Sequence, residues 1–303
     1  MGRVLHLETN SLAVLEQIRH YLDGYHRSPS ERPHFAWRII CEDGSASEPT
    51  WPEMTAFSEE GLSYAGVGHR GFLAVDRQER EAVGFLPEEL ARNTSGFGRP
   101  FLATLFSLTS RAMELTAIRA ASVARGGAGL LIFGPSNSGK TVSSFLASRL
   151  GLEFHADQAV FLEANTDGLR AWGEFWPTLF YEGAEAFLPE LPAITKRFHC
   201  QGRTCFHLEK LAPATGSRSV SPVACVFLER HNSGRHRLIP LQSDEFRKCL
   251  HEHGRLWDDA SSQCERSTAW NLLGSLPAYH LSYGGDPSIP ARLFQRLIEG
   301  DES

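Results

Sequence analysis

The hydrophobic pattern of the first third of the chain predicts a sheet with one or two helices. Short runs such as LSYAGV (62–67) and GFLAVD (71–76) are strand-like, and Gly and charged residues separate them. Apolar residues recur at helical spacing in SLAVLEQIRHYLDGY (11–25), where Ser11 or Asn10 is the candidate cap. We interpret residues 1–110 as a small α+β domain with an antiparallel sheet.

The pattern changes near residue 111, where a second domain, residues 111–303, is predicted to begin. AASVAR (120–125) and the strongly apolar AGLLIFG (128–134) are strand-like, and the two glycines between them predict a hairpin. A helix is predicted in TVSSFLASRLG (141–151), and one further strand in LEFHADQAVFLE (152–163).

Farther along, SPVACVFLERH (221–231) and RHRLIPL (235–241) predict a second hairpin. The C-terminal fifth of the chain has mainly helical patterns. Strands and helices that alternate in this way indicate an α/β fold class for the second domain.

Composition and charge narrow the possible partners. The chain has 303 residues, of which 42% are apolar and 22% charged, as in ordinary globular proteins. A formal net charge of −6 gives no general attraction to a polyanion, so nucleic acid is not an expected partner. There is no apolar run long enough for a membrane span and no signal-peptide core, so we expect a cytoplasmic protein with no membrane partner.

The motif that carries chemistry follows the apolar run AGLLIF directly. GPSNSGKT (134–141) satisfies the pattern GxxxxGK[ST], and it lies between a predicted strand and a predicted helix. Such a loop directs backbone N–H groups and the positive end of a helix at phosphate oxygens. The candidate nucleotide-binding residues are Gly134, Pro135, Ser136, Asn137, Ser138, Gly139, Lys140 and Thr141.

Individual side chains in this region have predicted roles. Lys140 offers a positive charge to the β- and γ-phosphates, and Thr141 offers a hydroxyl group to Mg²⁺. A phosphate loop also needs a carboxylate on a neighbouring strand, and Asp157 closes the next predicted strand. We therefore predict ATP, or another nucleoside triphosphate, and Mg²⁺ as cofactors. Thr141 and Asp157 are the metal ligands, and Lys140 and Asp157 are catalytic residues, with Asp157 receiving a proton.

Residues 117–163 resemble the catalytic domain of HPr kinase/phosphorylase, and more closely the short HPr-kinase-related proteins. In that family a hairpin precedes the loop, and a strand that ends in two consecutive acidic residues follows the loop lysine at a fixed interval. Asp157 stands at that interval after Lys140, so it occupies the first acidic position. The resemblance implies a fold related to that of phosphoenolpyruvate carboxykinase. It also implies phosphoryl transfer from a nucleoside triphosphate, or pyrophosphate, to a hydroxyl group, usually that of serine.

Two positions depart from the pattern of that family. The family has a histidine before the loop at the position where this chain has Arg119, and Gln158 replaces the second acid. Arginine cannot accept a proton, but it can stabilise transferred charge, so Arg119 is a candidate supporting cation in catalysis. A neutral Gln158 binds a hard cation more weakly than a carboxylate does.

Two functions are therefore left open. The first is a kinase that phosphorylates a hydroxyl group on a peptide, a protein or a small molecule, and Lys140, Thr141 and Asp157 favour it. The second is a catalytically degenerate relative that binds nucleotide as a scaffold or sensor, and Arg119 and Gln158 favour it. A homo-oligomer is an expectation by analogy with the family.

Overall fold

The chain divides into two units of structure, which are described separately. The first consists of Met1–Glu114 with two short later segments, and the second of Leu115–Glu174, Thr178–Lys196 and Leu208–Ser303. The structure, a computed structural model, describes residues 3–22, 32–43, 54–59, 61–68, 70–93, 96–174, 178–194, 196–200, 203–208, 219–231, 233–255 and 267–300.

A six-stranded mixed sheet forms the first unit. Its strands are β1 (Leu5–Thr9), β2 (Phe35–Glu42), β3 (Met54–Glu59), β4 (Leu62–Val67), β5 (Gly71–Asp76) and β6 (Glu81–Pro87). They lie in the order β1-β2-β6-β5-β4-β3. The prediction of an antiparallel sheet is wrong for the first half of this order, because β1, β2 and β6 are parallel neighbours. A helix joins β1 to β2, and such a crossover returns the chain to the same end of the sheet.

The helices of the first unit cover one face of that sheet. They are α1 (Leu12–Leu22), α2 (Glu88–Arg92) and α3 (Ala103–Ser110), with a π-helical turn at Phe97–Leu102 and a 3₁₀ turn at Arg111–Met113. Of the two predicted caps of α1, Ser11 is confirmed, since its hydroxyl accepts a hydrogen bond from the Val14 amide at 3.2 Å, whereas the Asn10 side chain binds the backbone of Cys41. Trp37 is buried beneath α3, where its ring meets that of Phe106 edge to face.

Twelve further strands follow among the described residues. They are β7 (Thr116–Ile118), β8 (Ala121–Arg125), β9 (Ala128–Phe133), β10 (Glu153–Ala156), β11 (Val160–Asn165), β12 (Gly168–Gly173), β13 (Thr178–Tyr181), β14 (Lys196–Cys200), β15 (Arg203–Leu208), β16 (Ser219–His231), β17 (Arg237–Pro240) and β18 (Ala278–Gly284). Nine of them form the main sheet of the second unit, whose order is β10-β8-β9-β16-β12-β11-β7, with β18 beside β16 and β17 beside β18.

This strand order confirms one predicted hairpin and overturns another. β8 and β9 pair antiparallel around the two glycines, as predicted. The predicted hairpin of 221–231 with 235–241 is wrong, because β18 lies between β16 and β17 and pairs with both. The single strand predicted for 152–163 is also two strands, β10 and β11, which lie near opposite ends of the sheet order.

Helices pack on both faces of the main sheet. The helices of this unit are α4 (Lys140–Arg149), α5 (Leu191–Ile194), α6 (Ser243–His253), α7 (Thr268–Leu273) and α8 (Ser288–Glu299). One core contains Phe246 of α6 and Leu273 of α7, and the other contains Phe294 of α8. β9 contributes to both, with Leu131 in the first core and Ile132 in the second. A strand buried on both faces is apolar throughout, which explains AGLLIF.

The second unit is therefore a mixed α/β structure with helices on both faces of its main sheet. In this sheet β9, β16 and β18 run parallel, so their carboxyl ends meet at one edge. That edge is where ligands bind in open α/β sheets. Within the described ranges, no helix is both long enough and apolar enough to cross a membrane.

Candidate phosphate-binding site

The eight residues of the motif form the connection between β9 and α4, here called the 134–141 loop. Gly134 has a φ of 137°, and a Cβ atom there would lie 2.4 Å from the Leu228 carbonyl oxygen. Asn137 and Gly139 have φ angles of 65° and 91°. Asparagine and glycine tolerate the left-handed region better than other residues, so the sequence matches the backbone that the loop adopts.

Lys140 begins α4, and its side chain folds back over the loop. Its Nζ atom donates hydrogen bonds to the carbonyl oxygens of Gly134 and Pro135, each at 2.8 Å. Burial, with a smaller contribution from the positive charge of Arg119, lowers the pKa of Lys140 to about 8. A cation held in this way is desolvated and close to the loop amides, where an anion would meet it.

Thr141 and Asp157 meet although they are far apart in sequence. The Thr141 hydroxyl donates a hydrogen bond of 2.6 Å to Oδ1 of Asp157. Asp157 directly follows β10, which pairs with β8, the partner strand of β9. This pairing places the end of β10 beside the start of α4. Asp157 is completely buried, so its carboxylate is held at the base of the site.

Glu174 binds the turn that carries Asp157. Its Oε1 atom accepts hydrogen bonds from the backbone amides of Asp157 at 2.9 Å and Gln158 at 3.1 Å, and its Oε2 atom accepts one from Ala159 at 2.9 Å. No role is predicted for Glu174 from the sequence. Nothing in its local sequence marks a residue that binds amides 15 to 17 positions earlier.

Arg119 lies in the short connection between β7 and β8. Its Nη2 atom donates a 2.8 Å hydrogen bond to the Ser136 hydroxyl, which brings its charge to the 134–141 loop. Its backbone amide donates to the Gly254 carbonyl oxygen at 2.9 Å, so the main chain at Arg119 is tied to the end of α6. The residue therefore contacts the loop from outside the motif.

Tyr283 of β18 is a second residue of the site for which the sequence predicts no role. Its hydroxyl donates a 2.9 Å hydrogen bond to the Ser138 carbonyl oxygen, and only 1% of the residue is exposed. A Cβ atom on Gly139 would lie 2.1 Å from that hydroxyl oxygen. Tyr283 thus closes the loop from the side of β18 and leaves no room for a side chain at position 139. Burial raises the pKa of its phenol.

The donor set at the base of the site fits a magnesium ion shared with a nucleotide. Mg²⁺ in such sites takes one or two protein oxygens and completes its shell with phosphate and water oxygens. Thr141 and Asp157 supply two adjacent oxygens on fixed elements. Among the described residues, no three His, Cys, Asp or Glu side chains are placed to hold a metal by themselves.

Comparisons with known proteins give little beyond this geometry. No family model matches the chain, and no curated protein matches it. Among solved structures, the chain is similar to the HPr(Ser) kinase/phosphatase from Coxiella burnetii, with 12% sequence identity and a TM-score of 0.31. The similarity covers 62% of this chain and 99% of that one.

Proposed function

We propose that this protein is a kinase that uses ATP, or another nucleoside triphosphate, with Mg²⁺. It transfers a phosphoryl group to a hydroxyl group on a peptide, a protein or a small molecule. The observation that carries the proposal is the 2.6 Å hydrogen bond from Thr141 to the buried Asp157, next to Lys140. Phosphoryl transfer uses a lysine, a hydroxyl and a carboxylate close together. Here Lys140 and Thr141 at the start of α4 supply the first two, and Asp157 after β10 supplies the third.

Binding of the triphosphate would use the 134–141 loop and α4. The loop amides and the positive end of α4 bind phosphate oxygens. Lys140 would exchange its hydrogen bonds to the loop carbonyls for bonds to the β- and γ-phosphates, and this exchange costs little because it is already desolvated. Arg119, which reaches the loop through Ser136, would add a second positive charge beside the transferred group.

Transfer would use the Asp157 carboxylate. The acceptor oxygen forms a bond to the γ-phosphorus, the bond from that phosphorus to the bridging oxygen breaks, and the nucleoside diphosphate leaves. The proton of the acceptor hydroxyl passes to Asp157. Mg²⁺, when it is bound, neutralises charge on the phosphate oxygens. A carboxylate has two oxygens, so the one that faces Thr141 can hold the metal while the other takes the proton.

A second function is a scaffold or sensor that binds nucleotide without turnover. Arg119 favours it, because a guanidinium group that donates to Ser136 has no lone pair with which to accept a proton. Gln158 also favours it, since it adds no second carboxylate next to Asp157. The two functions share the nucleotide site and differ in whether phosphate is transferred.

The test is an assay for ADP released from ATP and Mg²⁺, with serine, synthetic peptides and fractionated cell extract as acceptors. Acceptor-dependent ADP and a phosphorylated product, identified by mass spectrometry, are the results that the kinase predicts. Tight binding of ATP with no ADP above the level of an Asp157→Asn control would contradict the kinase and support the scaffold.

A further inference from the structure

The hydrogen bonds of Glu174 concern the same residue on which the proposed transfer depends. β10 ends at Ala156 and β11 begins at Val160, so residues 157–159 lie outside both strands. Their three successive backbone N–H groups all donate to the two oxygens of one carboxylate. Successive amides that converge in this way form an anion-binding nest, and here a side chain of the protein fills it.

The position of Glu174 follows from the hairpin of β11 and β12. Val160 pairs with Gly173, so the residue after Gly173 lies beside the turn that precedes Val160. Gly173 also approaches β10 closely, since a Cβ atom on it would lie 2.1 Å from the His155 carbonyl oxygen. The backbone at Gly173 therefore brings Glu174 to the 157–159 turn, and a larger residue at position 173 would push it away.

We propose that Glu174 is a positioning residue that fixes the Asp157 carboxylate against the Thr141 hydroxyl, in the geometry that takes up Mg²⁺ with the nucleotide. This inference rests on the proposed function. Asp157 is held at two points. Its backbone amide donates a hydrogen bond to Glu174, and its Oδ1 atom accepts one from the Thr141 hydroxyl. When the bonds to Glu174 are lost, the three amides of the turn need other hydrogen-bond acceptors. The turn then shifts, and the Asp157 carboxylate shifts with the turn.

The test compares Glu174→Gln with Glu163→Gln. A glutamine side chain has one acceptor oxygen and one N–H₂ donor, so a donor in Glu174→Gln would face an amide of the turn. Glu163 is a matched control on β11, the strand paired with β12. Its carboxylate accepts a hydrogen bond from the Trp172 ring nitrogen at 2.9 Å, whereas the three amides of the 157–159 turn donate to Glu174.

Calorimetry of ATP binding in EDTA measures the contribution of the 134–141 loop. The same measurement at increasing Mg²⁺ concentrations measures the contribution of the turn that carries Asp157. In Glu174→Gln we expect the affinity for ATP in EDTA to stay within about threefold of the wild type. The Mg²⁺ concentration that gives half-maximal binding should rise about tenfold, and the transfer rate at saturating ATP should fall about 100-fold, because a small displacement of a reacting group costs that much. Excess Mg²⁺ should restore part of the binding, and Glu163→Gln should behave as the wild type.

The outcomes distinguish this inference from the function on which it rests. A Mg²⁺ dependence in Glu174→Gln equal to that in Glu163→Gln would overturn the positioning role and leave the kinase intact. A wild-type protein that binds no ATP would overturn both. If Glu174→Gln does not fold, Glu174→Asp keeps the charge on a side chain one methylene shorter. It should show the same tenfold rise, and wild-type Mg²⁺ dependence in it would overturn the inference.

Discussion

Two turns follow strand ends in the candidate site, and they are stabilised in different ways. The 134–141 loop follows β9, and its own Lys140 binds its carbonyl groups. The 157–159 turn follows β10, and its amides are bound by Glu174, a residue at the far end of a later hairpin. The first turn is thus held mainly by residues of the motif, and the second depends on the arrangement of the sheet.

The difference shows which part of the site a motif can specify by itself and which part depends on the rest of the sheet. Eight consecutive residues specify the loop that is proposed to bind phosphate, because the glycines and the lysine act within one short segment. The proposed site also needs the Asp157 carboxylate. The β8–β10 pairing brings this carboxylate to Thr141, and the β11–β12 hairpin, through Glu174, holds it there. We therefore expect changes at the loop to affect the binding of ATP itself, and changes at the turn to affect the Mg²⁺ dependence of binding and the transfer rate.

The largest expected effect is the loss of transfer when Asp157 in the 157–159 turn is replaced. Asp157→Asn removes the proposed proton acceptor and should lower the transfer rate about 10²- to 10⁴-fold, while the affinity for ATP in EDTA stays within about threefold. Asp167→Asn, in the turn of the β11–β12 hairpin, is the control that removes an exposed carboxylate. Full transfer by Asp157→Asn in a radiolabelled phosphate assay would exclude Asp157 as the base.

A smaller effect tests the packing of the 134–141 loop. Gly139→Ala places a Cβ atom against the buried Tyr283 hydroxyl, whereas Gly126→Ala meets nothing within 4 Å, and both glycines have positive φ angles. Urea unfolding should show that Gly139→Ala costs about 1–3 kcal/mol more than Gly126→Ala. Adding Tyr283→Phe removes the clashing oxygen and should recover part of that difference. Equal costs for the two glycine variants would contradict the observed closure of the loop by β18.

The smallest effect concerns the charge of Lys140. Because burial lowers its pKa to about 8, the lysine is charged below that pH and neutral above it in the free protein. ATP binds the charged form, so its affinity should fall by up to about tenfold per pH unit as the pH rises above 8. Over the same range the free protein should become more stable, because the unfolded chain still binds the proton. Lys140→Arg stays charged and should show no such fall in calorimetry between about pH 7.5 and 9.5.

A flat affinity of the wild type across that range would contradict the burial of Lys140. An equal decline in Lys140→Arg would assign the pH dependence to another group.

Local patterns predicted the parts of the fold that depend on neighbours in sequence. The β8–β9 hairpin followed from two apolar runs around adjacent glycines, and α4 from its helical spacing. The position of β18 could not be predicted in this way, because its pairing joins Cys225 to Ala278, which are distant in sequence. Parallel pairing of this kind carries no turn signal in the sequence.

The same limit applies to the site. The loop residues and Asp157 could be named from a motif and the strand after it. Glu174 and Tyr283 could not, because each acts through a backbone group that any residue would provide: an amide for Glu174 and the Ser138 carbonyl for Tyr283. When a side chain binds the main chain, the residue type of its partner can be any, so the sequence of the partner gives no indication of the contact.

The proposed function depends first on the binding of a nucleoside triphosphate to the 134–141 loop through Lys140. The most direct test is thermal unfolding of the wild type, Lys140→Ala and Lys248→Ala, each with and without ATP and Mg²⁺. Lys248 is an exposed residue of α6 and serves as the control for the loss of a lysine. At ATP concentrations about 100-fold above the dissociation constant, the wild type and Lys248→Ala should be stabilised by about 2.7 kcal/mol, and Lys140→Ala should not respond. Equal stabilisation of Lys140→Ala, or no response of the wild type to any triphosphate, would contradict the claim.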